Sequence, residues 1–343
     1  MPLLDEDRLF PTDGRGKELA RALYARVRDL PILSPHGHTD PRWLAENRPF
    51  GNPAELFVTP DHYVFRMLHS QGVRLEDLGI RTRADAEEPV DPRVVWRIFA
   101  KHYHVFRGTP SRLWIDHSLQ DVFGVDKVLS AKTADEIYDQ ISDCLVQPEF
   151  RPRALFDRFG IEVIATTESP LDTLEHHAQI AASGWDGRVI TTYRPDVVID
   201  PENQNFLQNL KAFSEITGED ALTWEGYLNA HRKRRRDFIA HGATASDHGH
   251  PTARTENLSE KAAQELFVSV LSDPADPNNA ETFRAQMLTE MAKMSMDDGL
   301  VMQIHPGSRR NHSRAIFDKF GADMGFDIPG RTEIGRASCR ERV

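Results

Sequence analysis

Ile32-Leu33-Ser34-Pro35-His36-Gly37-His38-Thr39-Asp40 places two histidines one residue apart around a glycine, directly behind an apolar pair. Side chains alternate faces along an extended strand, so His36 and His38 are expected on one side. Gly37 removes bulk where a cation would crowd the backbone. Two imidazoles so placed suit one divalent metal, with zinc, iron and nickel all acceptable to that donor. A pair of ordinary surface or core histidines is the alternative. The stretch closes the first apolar run and follows a helical segment, where a βα-barrel sets its first functional side chains.

Working outward, residues 15–29 read as a helix carrying Leu19, Leu23, Val27 and Leu30 at helical spacing. The first strand spans about 31–38. From 41 to 150 the signals are helical. Thr59 is the expected N-cap of a helix with Pro60 at its first position. Thr133-Ala134-Asp135-Glu136 resembles a capping box before an amphipathic segment that ends at Leu145. After residue 150, apolar runs at 161–167, 187–194, 240–250 and 299–307 alternate with helical stretches. Each run ends in polar or ionisable residues. Alternating strands and helices imply βα units on a parallel sheet.

The expected fold class is α/β: a (β/α)8 TIM-type barrel, incomplete with about five strands, plus an α-helical insertion after strand 1. An open doubly wound sheet is the other arrangement, although no glycine-rich phosphate fingerprint follows any strand. The division expected is 1–40 for the N-terminal helix and strand 1, 41–150 for the insertion, and 151–333 for strands 2–5 with their helices. Residues 334–343 carry neither barrel periodicity nor a helix-ending signal and read as a foreign tail.

The 343 residues hold 42 basic and 53 acidic side chains, a net charge of −11. That balance argues against a general nucleic-acid binder. Only Cys144 and Cys339 occur, so neither a disulfide framework nor a cysteine zinc site is expected. The acidic N-terminus lacks the pattern of a signal peptide, and no apolar run approaches a membrane span. A cytoplasmic enzyme is expected, with no nucleic-acid or membrane partner.

Among single residues, His305 closes a strand and is followed by Pro306-Gly307, which suits a third metal neighbour or a general acid/base. Asp247, His248 and His250 form the densest polar strand end, with one or two of them facing the barrel mouth. Arg194 fits a planar carboxylate, unless it is spent on Asp196. Arg310 is a second candidate anchor. On the helix after Pro60, His62, Arg66 and His69 share a face and Tyr63 sits beside His62. The run His231 to Arg236 reads as the solvated face of a helix.

Taken together, Ser34-Pro35-His36-Gly37-His38-Thr39-Asp40, Asp61-His62-Tyr63-Val64-Phe65-Arg66, Phe106-Arg107-Gly108-Thr109-Pro110, Tyr193-Arg194-Pro195-Asp196 and Met302-Gln303-Ile304-His305-Pro306-Gly307 resemble the uronate isomerase (glucuronate isomerase) family. The resemblance runs from about residue 5 to Glu333. It implies a metal-dependent, amidohydrolase-like barrel that interconverts D-glucuronate with D-fructuronate and D-galacturonate with D-tagaturonate. It further implies His36 and His38 as metal ligands and His305 as the fifth-strand histidine, acting catalytically with help from Tyr63. His62, Arg194 and Arg310 become substrate contacts. The metal is expected to be divalent, with Zn2+ favoured. The family's remaining ligand, an eighth-strand aspartate that also moves the proton, matches no residue of this chain. The chain therefore reads as an N-terminal fragment with little or no turnover, and homo-oligomerisation of the full-length enzyme stays open. Other readings are a metal hydrolase of the amidohydrolase superfamily and a non-catalytic sugar-acid binder.

Overall fold

Five short parallel strands run in chain order through the computed structural model, which describes residues 4–84 and 89–331. They are β1 (Ile32–Ser34), β2 (Ile161–Ala165), β3 (Arg188–Ile190), β4 (Ala245–His248) and β5 (Val301–Ile304). β1, β2 and β3 pair in that order, and β4 pairs with β5. Parallel bridges from Tyr193 to Glu168 and to Ser246 carry the succession on from β3 to β4. An unreversed order with helices between the strands is that of a barrel; a doubly wound sheet reverses at a switch point. Among the described residues β1 and β5 each pair on one side only, and Leu33 and Val301 are exposed by 60% and 65%. The tail at 334–343 lies outside the described residues.

The strands belong to one of two compact units, made of Ile32–Glu46, Ile161–Arg309 and Ile328–Val343. Its core is aromatic and methionine-rich: Phe206, Phe213, Tyr227, Phe267, Phe283, Met287 and Met291 are buried together. The long helices Trp224–Ala240 and Pro277–Asp298 supply much of it. The basic run lies on the first of these, and here the expected solvated face is corrected: His231, Arg234 and Arg235 are buried. Each guanidinium survives burial because it is paired. Arg234 donates to the carbonyls of Pro170 and Asp172, and Arg235 to the Asp298 carboxylate.

The other unit comprises Met1–Pro31, Asn47–Gly160 and Arg310–Asp327. Helix Pro92–His102 shows why its core forms. Asp91 caps it, Pro92 opens it, and Val95, Trp96, Phe99 and Ala100 fall on one buried stripe. Trp96 Nε1 donates to the Ala134 carbonyl at 2.9 Å, joining this helix to Ala134–Leu145. Two capping expectations change. The helix expected from Pro60 begins instead at His62, because the Asp61 carboxylate accepts from the Tyr63 and Val64 amides. Thr133 leaves its helix uncapped, since its hydroxyl is taken by the Val128 carbonyl at 2.8 Å. Helix Gly14–Tyr24 stops short of residue 29 and buries none of its residues. A helix without a packed face has little to extend it.

In this unit the Glu76 carboxylate is buried against the Lys319 ammonium, with Arg74 at 3.5 Å. The hydrogen bond from Lys319 pulls the Glu76 pKa down to about 2. A depressed carboxyl stabilises the fold above its unfolded value and loses that contribution as pH falls towards the folded one. Replacing Lys319 by methionine is expected to cost about 1 kcal/mol near neutral pH, because half of the lysine stays in water. The deficit should shrink between about pH 4 and pH 2 as Glu76 protonates. Denaturant titrations at pH 7 and pH 3 check this, and a deficit equal at both would exclude the linkage.

Candidate active site

β1 ends at Ser34, so His36 and His38 lie just past the strand in irregular chain. The extended-strand argument for their common direction is thereby corrected, yet the two imidazoles still meet. Their ring centroids are 5.2 Å apart at an interplanar angle of 83°. The loop is tied by Thr167, whose hydroxyl donates to the Gly37 carbonyl at 2.8 Å. A Cβ on Gly37 would stand 3.3 Å from the Ala165 carbonyl oxygen, a tight fit against backbone.

His305 follows β5 and is held by its own amide, which donates to the His248 carbonyl at 3.1 Å. Its ring centroid lies 6.1 Å from that of His36. Gln303, two residues earlier, reaches the same place. Its Nε2 donates to the Pro35 carbonyl at 3.0 Å, which leaves its oxygen facing His36 Nδ1 at 2.8 Å. An amide oxygen only accepts, so His36 carries a proton on Nδ1, and in the neutral ring that leaves the lone pair on Nε2. That is the tautomer a metal ligand needs.

Asp247 is the centre of the cluster. Its side chain is fully buried, with Oδ1 2.7 Å from His305 Nε2 and 3.9 Å from His36 Nδ1. Oδ2 stands 3.3 Å from Arg194 Nη1. None of these approaches is aligned as a hydrogen bond, so both oxygens keep unspent lone pairs. Burial alone would raise the carboxyl; the contact with His305 and the charges of Arg194 and His36 outweigh it and hold it below the usual carboxylate value. His38 moves down, first through burial and then through Arg194 and His36.

The neighbouring polar residues face elsewhere. Ser246 Oγ and His248 Nε2 are 2.9 Å apart, both buried, and burial drives the His248 pKa well down. His250 is buried too, and its pKa falls for the same reason. Alternation along β4 accounts for this: Ser246 and His248 share one face, while Asp247 shares the other with Gly249.

His36, His38, His305, Arg194 and Asp247 therefore come together within one unit. His62, Tyr63 and Arg310 belong to the other unit. There His62 and Tyr63 pack ring to ring at 4.4 Å, and Arg66 covers the Tyr63 ring at 4.8 Å. Arg310 lies 3.7 Å from Asp323 and is partly exposed. Sequence reasoning missed Gln303 and left Asp247 as one candidate among three.

The cluster carries the donor types a divalent cation takes, the imidazoles of His36 and His38 beside a buried carboxylate with free lone pairs. Among the described residues, no group of three or more His, Cys, Asp or Glu side chains is arranged to hold a metal ion.

The glucuronate isomerase family model matches residues 12–340. The chain belongs to the uronate isomerase family. It is 60% identical over 331 residues to the uronate isomerase of Mesorhizobium japonicum, covering 96% of this chain and 71% of that protein. It is 59% identical over 334 residues to that of Xanthomonas axonopodis pv. citri, with 97% and 71% covered. Among solved structures, glucuronate isomerase from Caulobacter crescentus superposes with a TM-score of 0.95 at 55% identity, covering 97% of this chain and 70% of that one. Uronate isomerase from Thermotoga maritima does so at 0.89 and 29%, covering 98% and 72%. The barrel reading holds at this level: the fold is the TIM-type barrel of these isomerases, with five of its strands among the described residues. Uronate isomerases are intramolecular oxidoreductases that act on a small sugar acid, and a divalent metal serves the family.

Proposed function

We propose that the chain performs aldose–ketose isomerisation of hexuronates, D-glucuronate to D-fructuronate and D-galacturonate to D-tagaturonate. The observation that carries this is the convergence of His36, His38, His305 and Arg194 on the buried Asp247, in a chain of this family. His36 and His38 would hold the divalent cation, Zn2+ being our choice because imidazole and carboxylate donors suit it. The cation, when bound, supplies Lewis acidity towards the sugar oxygens. Arg194 donates from Nε to Asp196 and faces Asp247 with Nη1, and the rest of its guanidinium is proposed to receive the substrate carboxylate. His62, Tyr63 and Arg310 are assigned to the sugar acid by motif alone.

The reaction passes the C2 proton of the aldose to a base and from it to C1 by way of an enediol, while the O2 hydroxyl proton moves to O1 and the C2 oxygen becomes the ketone; the carbon-to-carbon transfer is the step the family gives to its eighth-strand aspartate, and no residue of this chain is assigned to it. His305 is proposed to carry the proton between the two sugar oxygens, since its Nε2 borders the carboxylate of Asp247 at 2.7 Å. Asp247 steadies the imidazolium that this transfer creates. Tyr63 is proposed as an assisting acid.

No helix among the described residues is long and apolar enough to cross a membrane. We place the chain in the cytoplasm, read its site as one for small molecules, and propose homo-oligomeric assembly for the full-length enzyme.

Incubation with Zn2+ and D-glucuronate, followed by reductase-coupled detection of the ketose, is the test. Ketose from glucuronate and from galacturonate, with none from glucose, is expected. Cleavage of a uronic lactone or amide without isomerisation would instead place the chain with the hydrolases.

A further inference from the structure

We propose that Asp196 and Gly249 act together as the positioning device that holds the Arg194 guanidinium for a substrate carboxylate. This rests on the reading of Arg194 as the carboxylate anchor. The Asp196 carboxylate accepts from Arg194 Nε at 3.0 Å and, from the other side, from the Gly249 amide at 3.1 and 3.2 Å. It thus ties the arginine beyond β3 to the chain leaving β4, the two segments that bring Arg194 and Asp247 together. Asp247 stands at Nη1. With Nε and Nη1 each facing an acid, the fork is fixed in plane and direction. Nη2 makes no hydrogen bond among the described residues and points at Gly249.

Gly249 completes the arrangement by what it lacks. A Cβ there would lie 2.7 Å from Asp196 Oδ2, 2.8 Å from Arg194 Nη2 and 3.1 Å from His305 Cε1. Three groups of the site occupy the space of one absent methyl. Any larger residue must push the guanidinium, its acid partner or the proton-carrying imidazole out of register. Asp196 and Arg194 are four-fifths buried, so water does not substitute for the bond between them.

A general structural role predicts weaker binding of every ligand, whereas a positioning role predicts loss of selectivity for the charge. The test is calorimetric titration of the 343-residue chain with D-glucuronate and with its neutral amide. Thermal unfolding of each variant runs alongside. Asp196→Asn removes the charge and keeps the shape. It is expected to weaken glucuronate about tenfold, the worth of one charge-assisted hydrogen bond, and the amide less than about threefold. Gly249→Ala, with Asp196 intact, should move the ratio in the same direction. Arg194→Met, which removes the charge, should abolish the preference for the acid. If the unmodified chain does not prefer glucuronate to its amide, the reading of Arg194 fails and the inference with it. If it does prefer it, and Arg194→Met removes the preference while Asp196→Asn and Gly249→Ala retain it, the inference alone fails. Equal weakening of both ligands by Asp196→Asn also overturns it.

Discussion

Replacing both His36 and His38 by alanine is expected to abolish stoichiometric binding of a divalent cation, lowering the affinity for Zn2+ at least a hundredfold. Each imidazole removes one donor, and neither Asp247 nor His305 has a neighbour that takes its place. Asp247 instead relaxes towards Arg194 and His305, both already at its oxygens. A graded control separates ligation from folding. Gln303→Leu leaves every proposed ligand in place and removes the acceptor facing His36 Nδ1 together with the donor to the Pro35 carbonyl. Its expected loss is about ten- to a hundredfold, the usual effect of removing a partner that orients a metal-bound histidine. Equilibrium dialysis with metal analysis measures both. The unmodified chain should retain close to one equivalent, the double alanine none, and Gln303→Leu an equivalent only at raised free metal. Undiminished binding in the double variant would show that the cation sits elsewhere.

How much of this was legible in the residues depends on which physical signal each one carries. His36 and His38 stood out because two donors one residue apart on a short tether meet whether the chain is extended or bent. Their rings accordingly meet although the strand assumed to orient them ends at Ser34. His305 was legible from the Pro306-Gly307 turn that fixes where β5 must end. Asp247 was not, because Ser246, Asp247, His248 and His250 are all buried and composition cannot say which faces the site. Register decides it. Asp247 pairs with Gln303 and His248 with Ile304, and partners in a parallel sheet share a face. Asp247 therefore lies on the side of Gln303 and His305. Alternation from His305 backwards along one strand and across to the next would have found it. The division at Asn47 and Gly160 could not be read in the same way, since Arg310–Asp327 joins the first unit from a distance of some hundred and fifty residues along the chain. The basic run failed for another reason. His231, Arg234 and Arg235 follow helical i, i+3, i+4 spacing, but a pattern built of cations is not counted as a core face.

That run carries the second large effect. Arg235 is fully buried, donating from Nε and Nη2 to the two oxygens of Asp298 at 2.6 and 2.8 Å and from Nη2 to Ser295 at 2.9 Å. Asp298 in turn accepts from the Leu300 amide at 3.1 Å, at the entry to β5. Truncation to alanine leaves that carboxylate without its cation and opens a cavity beneath Tyr193, whose ring the guanidinium borders at 5.8 Å. The expected cost is about 3–5 kcal/mol, the usual range for removing one partner of a buried pair. The sign of its pH dependence follows from Asp298. Burial pushes its carboxyl up, but Arg235 outweighs burial and holds it below the usual value. The pair therefore stabilises the fold above the ordinary carboxylate range and loses that contribution as pH falls beneath it. In Arg235→Ala the loss should be largest near neutral pH and should diminish on acidification, as Asp298 becomes free to protonate. Pairing the substitution with Asp298→Leu should recover a substantial part of the stability, since no charge then remains unmatched. Urea unfolding of the two single variants and the double variant at pH 7 and pH 4 measures the coupling. A double variant no more stable than Arg235→Ala would mean that the guanidinium acts by filling space, and that its bond to Asp298 contributes nothing to holding the entry to β5.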